Sequence, residues 1–212
     1  DIGGEVEEAE EWNNDGASIG TMGIDVQEIQ VGQPYAGTIT SKGDRYYKVA
    51  LPEGKTVRVG LTGAAGAANE LYARFNVIAL RNSSEFAANG AGLKDQEIIV
   101  PRSFAGWYYI LVHGKVEPGG QASFTLTPEI LPFGIRSVTP VRIGDNGQVT
   151  LTIRGAEFRV GASATLSQGS TRLAASEVRL IDQATVKARF LFTTAPHGNY
   201  DLSITQPNGQ MA

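Results

Sequence analysis

The stretch AGWYYILVHG, Ala105 to Gly114, carries Trp107, Tyr108, Tyr109, Ile110, Leu111 and Val112 in an unbroken row. A strand with one wet face alternates apolar and polar side chains, so this segment predicts a strand apolar on both faces, the second of which is either covered or a binding surface. Working outward, DRYYKVALPEGKTVRVGL (Asp44 to Leu61) shows the two-residue period twice. Tyr47, Val49 and Leu51 share one face, then Val57, Val59 and Leu61 do, with Pro52 to Gly54 between them as the turn of a predicted hairpin. Further strands are predicted at Leu71 to Leu80, Glu97 to Val100, Trp107 to His113 and Ser123 to Thr127. Pro128 and Pro132 then bracket a short apolar segment where ladder pairing is expected to stop.

The same grammar restarts beyond Pro132. Val149, Leu151 and Ile153 alternate with Thr150, Thr152 and Arg154; Val186, Ala188, Phe190 and Phe192 with Lys187, Arg189 and Leu191; Tyr200, Leu202 and Ile204 with Asp201, Ser203 and Thr205. Composition agrees: 42% hydrophobic, only 19% charged, and 26 glycines in 212 residues. That is the balance of a turn-rich all-β chain, long enough for two sandwiches. The expected division is an acidic N-terminal linker over 1–25, one antiparallel β sandwich over 26–131 and a second over 132–212.

There is no cysteine, which excludes disulfides, thiolate metal sites and cysteine nucleophiles. The first fifteen residues hold seven of the 22 acidic side chains and no basic one, so the remainder is slightly basic. Neither part has the basic stripe that a phosphate backbone requires, and nucleic acid is excluded as an expected partner. No stretch approaches the roughly 18 apolar residues of a membrane helix, so no membrane insertion is expected. The start at Asp1 reads as that of a mature or excised fragment.

The body from 26 to 131 resembles the bacterial pre-peptidase C-terminal domain, a small jelly-roll-like sandwich appended to exported proteins. GTITSKGDRYYKVALPEGKTVRVGL, NELYARF and AGWYYILVHG followed by FTLT carry the likeness, with Glu70 where that family usually has Asp. The body from 132 to 212 resembles an immunoglobulin-like domain of the IPT/TIG type through IRSVTPVRIGDNGQVTLTIRGAEF, with its Gly155-x-x-Phe158 ending, and HGNYDLSITQPNG. That family closes with one more strand after the Pro-x-Gly turn, so the chain is expected to lack its last strand and to leave an edge that recruits another.

The resemblance implies sites as well. The first Tyr of the Tyr-Tyr pair points inward, which puts Tyr108, Ile110 and Val112 in the core. Trp107, Tyr109, Leu111 and His113 then form an outer face, either covered by the N-terminal segment or the second domain or acting as a binding surface. Collagen-binding relatives carry aromatic residues near the end of this strand, where Leu111 and His113 stand here. In calcium-binding relatives, acidic and amide groups ahead of the first strand join an Asp before the Tyr-Tyr strand. The matching residues are Glu10, Asn13, Asn14, Asp15 and Asp44, and Ca2+ is the one cofactor so implied, through hard oxygen ligands.

No catalytic residue is assigned. GASIG, Gly16 to Gly20, fits the nucleophile-elbow spacing with Ser18, but neither a strand before it nor a periodic helix after it can be read. His113 and His197 are the only histidines, without zinc-binding spacing. The expected function is a non-catalytic accessory, spacer or adhesive module pair of a larger exported bacterial protein, secreted or at the cell surface. Its expected partners are other domains of that protein or neighbouring copies. The alternative is a calcium-dependent binding module for an extracellular polymer, collagen-like or polysaccharide.

Overall fold

The computed structural model describes residues 26–144, 146–193 and 195–212. It is all-β, with four sheets and no α-helix among the described residues. One five-stranded sheet has the order β1-β3-β8-β5-β6, formed by Gln27–Glu28 (β1), Asp44–Leu51 (β3), Gly106–Val116 (β8), Ala68–Phe75 (β5) and Phe86–Ala88 (β6). It faces a four-stranded sheet β2-β9-β4-β7, formed by Tyr35–Thr40, Gln121–Ile130, Val57–Gly63 and Gln96–Val100. Tyr47, Val49, Leu71, Tyr108, Ile110 and Val112 from the first meet Ile39, Val57, Val59, Ile98, Phe124 and Leu126 from the second in one core. Fully burying each such side chain contributes roughly 1.5–3 kcal/mol relative to exposure.

The second pair of sheets is β10-β11-β15-β14 (Gly134–Thr139, Asn146–Ala156, Thr185–Thr193, Glu177–Asp182) and β13-β12-β16 (Thr171–Ala174, Ser163–Gln168, Asp201–Thr205). Its core is separate and centres on Ile153, Phe158, Val186, Phe190 and Ile204. In β15 every second residue from Val186 to Phe192 is buried and the residues between are exposed, the pattern of a pleated strand on a core.

Four sequence expectations are corrected. The segments either side of Pro52–Gly54 do not form a hairpin: β3 pairs with β8 and β4 with β9 and β7, so the turn carries the chain from one sheet to the other. Both segments bury one face, and periodicity alone cannot say whether two such strands pair or oppose each other. Pro128 does not stop the ladder, and β9 runs on to Ile130. The Pro128 carbonyl accepts from Gly32 N–H at 2.7 Å, on the side away from its partner Val59 in β4. The missing proline N–H points to that same side, so no bond to β4 is lost. The strand expected over Leu71 to Leu80 ends at Phe75, because Asn76 takes φ 53° and turns the chain out of the sheet. RNSSEFAANGAGLKD, read as a loop, contains the short strand β6.

Where the two sandwiches meet, the GAEF motif supplies the joint. Gly155 packs so closely that a Cβ would collide with the Gly134 carbonyl and stand 2.6 Å from the Phe158 ring. Phe158 enters the core, while Glu157 between them takes φ 57° and turns toward the first sandwich. Its carboxylate accepts from Thr56 N–H at 2.8 Å, and its own N–H donates to Thr56 Oγ1 at 3.1 Å. The Thr56 hydroxyl donates in turn to the Pro101 carbonyl at 2.9 Å. Beside this pair, Glu97 binds both Arg58 and Arg136, and Arg58 also holds Glu129 at 3.0 Å.

Candidate functional site

Directly opposed residues of neighbouring strands share a face, so the ladder of β3, β8 and β5 lays out the outer surface of the first sandwich row by row. Asp44, His113 and Glu70 form one row; Tyr46, Leu111 and Tyr72 the next; Lys48, Tyr109 and Arg74 the third; Ala50 and Trp107 the last. Trp107, Tyr109, Leu111 and His113 therefore do lie on one face of β8, opposite the core-facing Tyr108, Ile110 and Val112.

That face is divided in two by the segment between β5 and β6. Starting at Asn76, which accepts from Trp107 N–H and donates to its carbonyl, the chain folds back over the sheet. Ala79 is completely buried against Leu111 and Tyr72, with Tyr46 at the margin. Arg81 Nε reaches Glu70 at 3.1 Å and Arg74 donates to Ser83 Oγ at 2.8 Å, fastening the loop at both sides. The second apolar face of AGWYYILVHG thus finds cover in a loop of the same domain; of the two covers expected from sequence, the N-terminal segment lies outside the described residues. Leu111, at 1% exposure, and His113, at 6%, are withdrawn from any contact surface. The surface that remains is narrower than the one read from sequence.

The first row is an ionic lock. Asp44 Oδ1 lies 2.7 Å from His113 Nδ1. A carboxylate there accepts, which fixes the proton of the neutral ring on Nδ1 and leaves Nε2 as the acceptor. Glu70 is almost fully buried, and its two oxygens take Tyr72 Oη at 2.8 Å, Arg81 Nε and Lys115 Nζ at 3.2 Å. Burial pushes its carboxyl up, but the hydrogen bonds from Tyr72 and Lys115 and the charge of Arg81 together hold it below the usual value. Burial, followed by the hydrogen bond to Glu70, raises the Tyr72 phenol. With Glu70 accepting from Tyr72, Arg81 and Lys115 and the imidazole buried, this row ties β3, β8 and β5 together.

Trp107 and Tyr109 stay half-buried, flanked by Lys48 and Arg74. Lys48 Nζ stands 5.2 Å from the Trp107 ring centroid, within cation–π range. The loop that begins beside Trp107 exposes Val77, Ile78 and Leu80; Phe104, more than half exposed, packs at a tilt on Phe75 with centroids 5.5 Å apart, on the side of the sheet that carries Tyr108. The result is an aromatic and aliphatic shelf edged by two cations. The exposure of these side chains was not legible in sequence, although an Asn after an apolar strand was a signal for the left-handed turn that starts the loop.

Of the five residues expected to hold calcium, Glu10, Asn13, Asn14 and Asp15 lie outside the described residues, as does the GASIG motif with Ser18. Asp44 is exposed at the start of β3 and already serves His113. Among the described residues no group of three or more carboxylate or imidazole side chains could hold a metal, so they do not by themselves make the six to eight oxygen donors that calcium takes. No helix among them is long and apolar enough to cross a membrane.

No family model and no curated protein matches the chain. Among solved structures, it is similar to the pre-peptidase C-terminal domain of a collagenase from Bacillus anthracis (13% identity, TM-score 0.40, covering 51% of this chain and 99% of that one). It is also similar to PliG of Aeromonas hydrophila, a periplasmic inhibitor of g-type lysozyme (14% identity, TM-score 0.36, 50% and 96% covered). A third is the adhesin domain of Epf from Streptococcus pyogenes (14% identity, TM-score 0.29, 85% and 74% covered).

Proposed function

We propose that this chain is a non-catalytic module pair of a larger exported bacterial protein, secreted or held at the cell surface, in which the first sandwich is adhesive and the second is a spacer. The observation that carries the reading is the shelf of Trp107 and Tyr109 between Lys48 and Arg74. Half-buried aromatic rings on a rigid sheet offer flat apolar faces at little entropic cost. Such faces suit the sugar rings of a polysaccharide or the prolyl rings of a collagen-like chain. The joint at Thr56 and Glu157 supports the spacer role, since reciprocal hydrogen bonds hold the sandwiches in one orientation.

Co-sedimentation with insoluble collagen, chitin and cellulose, in calcium and in EGTA, tests the adhesive role. The intact chain is expected to pellet with one of these polymers, and Trp107→Ala with Tyr109→Ala to lose that binding while keeping its circular dichroism. Retention of binding by the double variant, or no binding to any of the three polymers, overturns it. The calcium-dependent form of the reading rests on Asp44 acting with Glu10, Asn13, Asn14 and Asp15, and the EGTA arm addresses it.

A further inference from the structure

Charge is laid out unevenly on the second sandwich. Directly opposed residues share a face, so the ladder of β10-β11-β15-β14 gives its outer surface in rows. Thr139, Thr152, Lys187 and Arg179 form one row; Ser137, Arg154, Thr185 and Asp182 the row on the joint side of it; Thr150, Arg189 and Glu177 the row on the other. All four cations are exposed. Glu177 is held by Arg189 at 3.1 Å, and Asp182 accepts from Ala184 N–H at 2.8 Å. Among the described residues nothing pairs with the side chains of Arg154, Arg179 or Lys187. Lys187 stands directly opposite Arg179, a like-charge contact that destabilises a sheet, and Arg154 lies on the diagonal from Lys187.

An anionic chain laid across these three strands relieves that repulsion, and the guanidinium forks of Arg154 and Arg179 match carboxylates. The protein carries such an anion itself: residues 1–15 hold seven carboxylates and no basic side chain. The reach is sufficient. The basic rows begin at the joint, since Arg154 stands three residues before Glu157, whose carboxylate bonds Thr56. Gln27 lies opposite Tyr47 of β3, four residues from the end of that strand at Leu51, and Pro52 to Lys55 then lead to Thr56. Four strand residues take up about 13 Å. The residues from Asp15 to Val26 span up to about 40 Å when extended.

We propose that the acidic segment around Glu7, Glu8, Glu10 and Glu11 docks on this face of its own chain, with its carboxylates on Arg154, Arg179 and Lys187. The tether sets an effective concentration in roughly the millimolar range, which favours the face of the same chain over that of a neighbouring copy. The contact is electrostatic and exposed. Its screening length falls from about 8 Å at physiological salt to about 3 Å at about 1 M, so added salt releases it. This site lies on the second sandwich and does not depend on the Trp107 shelf.

The test uses the whole chain. It has no cysteine, so Ala9→Cys takes a single nitroxide without altering the charge of the segment. EGTA is present throughout, because calcium would compete for Glu10 and Asp15. The amide signals of Thr152, Arg179 and Lys187 are expected to be lost to the nitroxide at low salt and to return at about 1 M salt. Arg179→Gln with Lys187→Gln, two exposed changes, is expected to restore the Thr152 signal at low salt. A mixture of isotope-labelled chain without nitroxide and unlabelled chain with it is expected to lose none of the three. Loss in that mixture assigns the segment to a neighbouring copy and overturns the proposal. So does loss at Lys48 and Trp107 in place of Lys187, which would set the segment over the shelf. Retention of all three signals, or a loss that persists in high salt or in the double variant, overturns it as well.

Discussion

Thr56→Val probes the joint between the sandwiches. Thr56 is fully buried at the start of β4, and its hydroxyl both donates to the Pro101 carbonyl and accepts from Glu157 N–H. Valine keeps the shape but leaves those two backbone groups without their partner, while the Thr56 N–H bond to the Glu157 carboxylate and its carbonyl bond from Leu131 N–H survive. A buried group left unsatisfied costs about 1–3 kcal/mol. Pro101 and Glu157 are only half-buried and water reaches them in part, which places the loss near the lower end for each, about 2 kcal/mol together. For a chain of 212 residues, each kcal/mol moves the Tm by about 2–4 °C, so the expected fall is about 4–8 °C. Scanning calorimetry reads it, with Glu157→Gln as the control that keeps an acceptor oxygen and is expected to change little. A Thr56→Val melt within about 1 °C of the parent would refute the claim that this hydroxyl ties the two sandwiches together.

Three further outcomes follow from charged groups of the first sandwich. Glu70 has its carboxyl held below the ordinary value of 4.5, so its contribution to stability is complete above that value and disappears as pH falls through the lowered one; Glu70→Gln is expected to be less stable than the parent at pH 7, with the gap closing in acid melts. Glu117 is the opposite case. Burial raises its carboxyl and one oxygen has no partner, so the folded state holds a proton more tightly than the unfolded chain and loses stability as pH rises from 4.5 through the raised value. Glu117→Gln is expected to match the parent in acid and exceed it at pH 7, and equal urea midpoints at pH 7 would remove the burial penalty from the account. A calcium site built from Glu10, Asn13, Asn14, Asp15 and Asp44 requires a Tm several degrees higher in about 10 mM calcium than in EGTA, a rise that Asp44→Ala abolishes; coincident melts assign Asp44 to His113 alone.

Much of the architecture was legible because pleated strands write burial into a period of two. Tyr47, Val49 and Leu51, or Val186 to Phe192, announce strands with one buried face by their spacing alone, and 26 glycines without helical periodicity leave an all-β chain as the consistent reading. The inward turn of Tyr108, Ile110 and Val112 follows from the same alternation once one of them is placed. β12 and β13 were not legible, since Ser163–Gln168 and Thr171–Ala174 contain few apolar residues, although Ala164 and Leu166 of β12 are buried in the second core. What only the tertiary structure decided is which surfaces meet. Periodicity says that a face is buried and is silent on what buries it, so the pairing of β3 with β8 and not β4, and the closing of the 76–85 loop over Leu111, belong to the folded chain. Glu157 makes the same point at the joint: its sequence neighbours mark the end of a strand, but its partner Thr56 lies a hundred residues away, and only the packed domains bring the two within hydrogen-bonding distance.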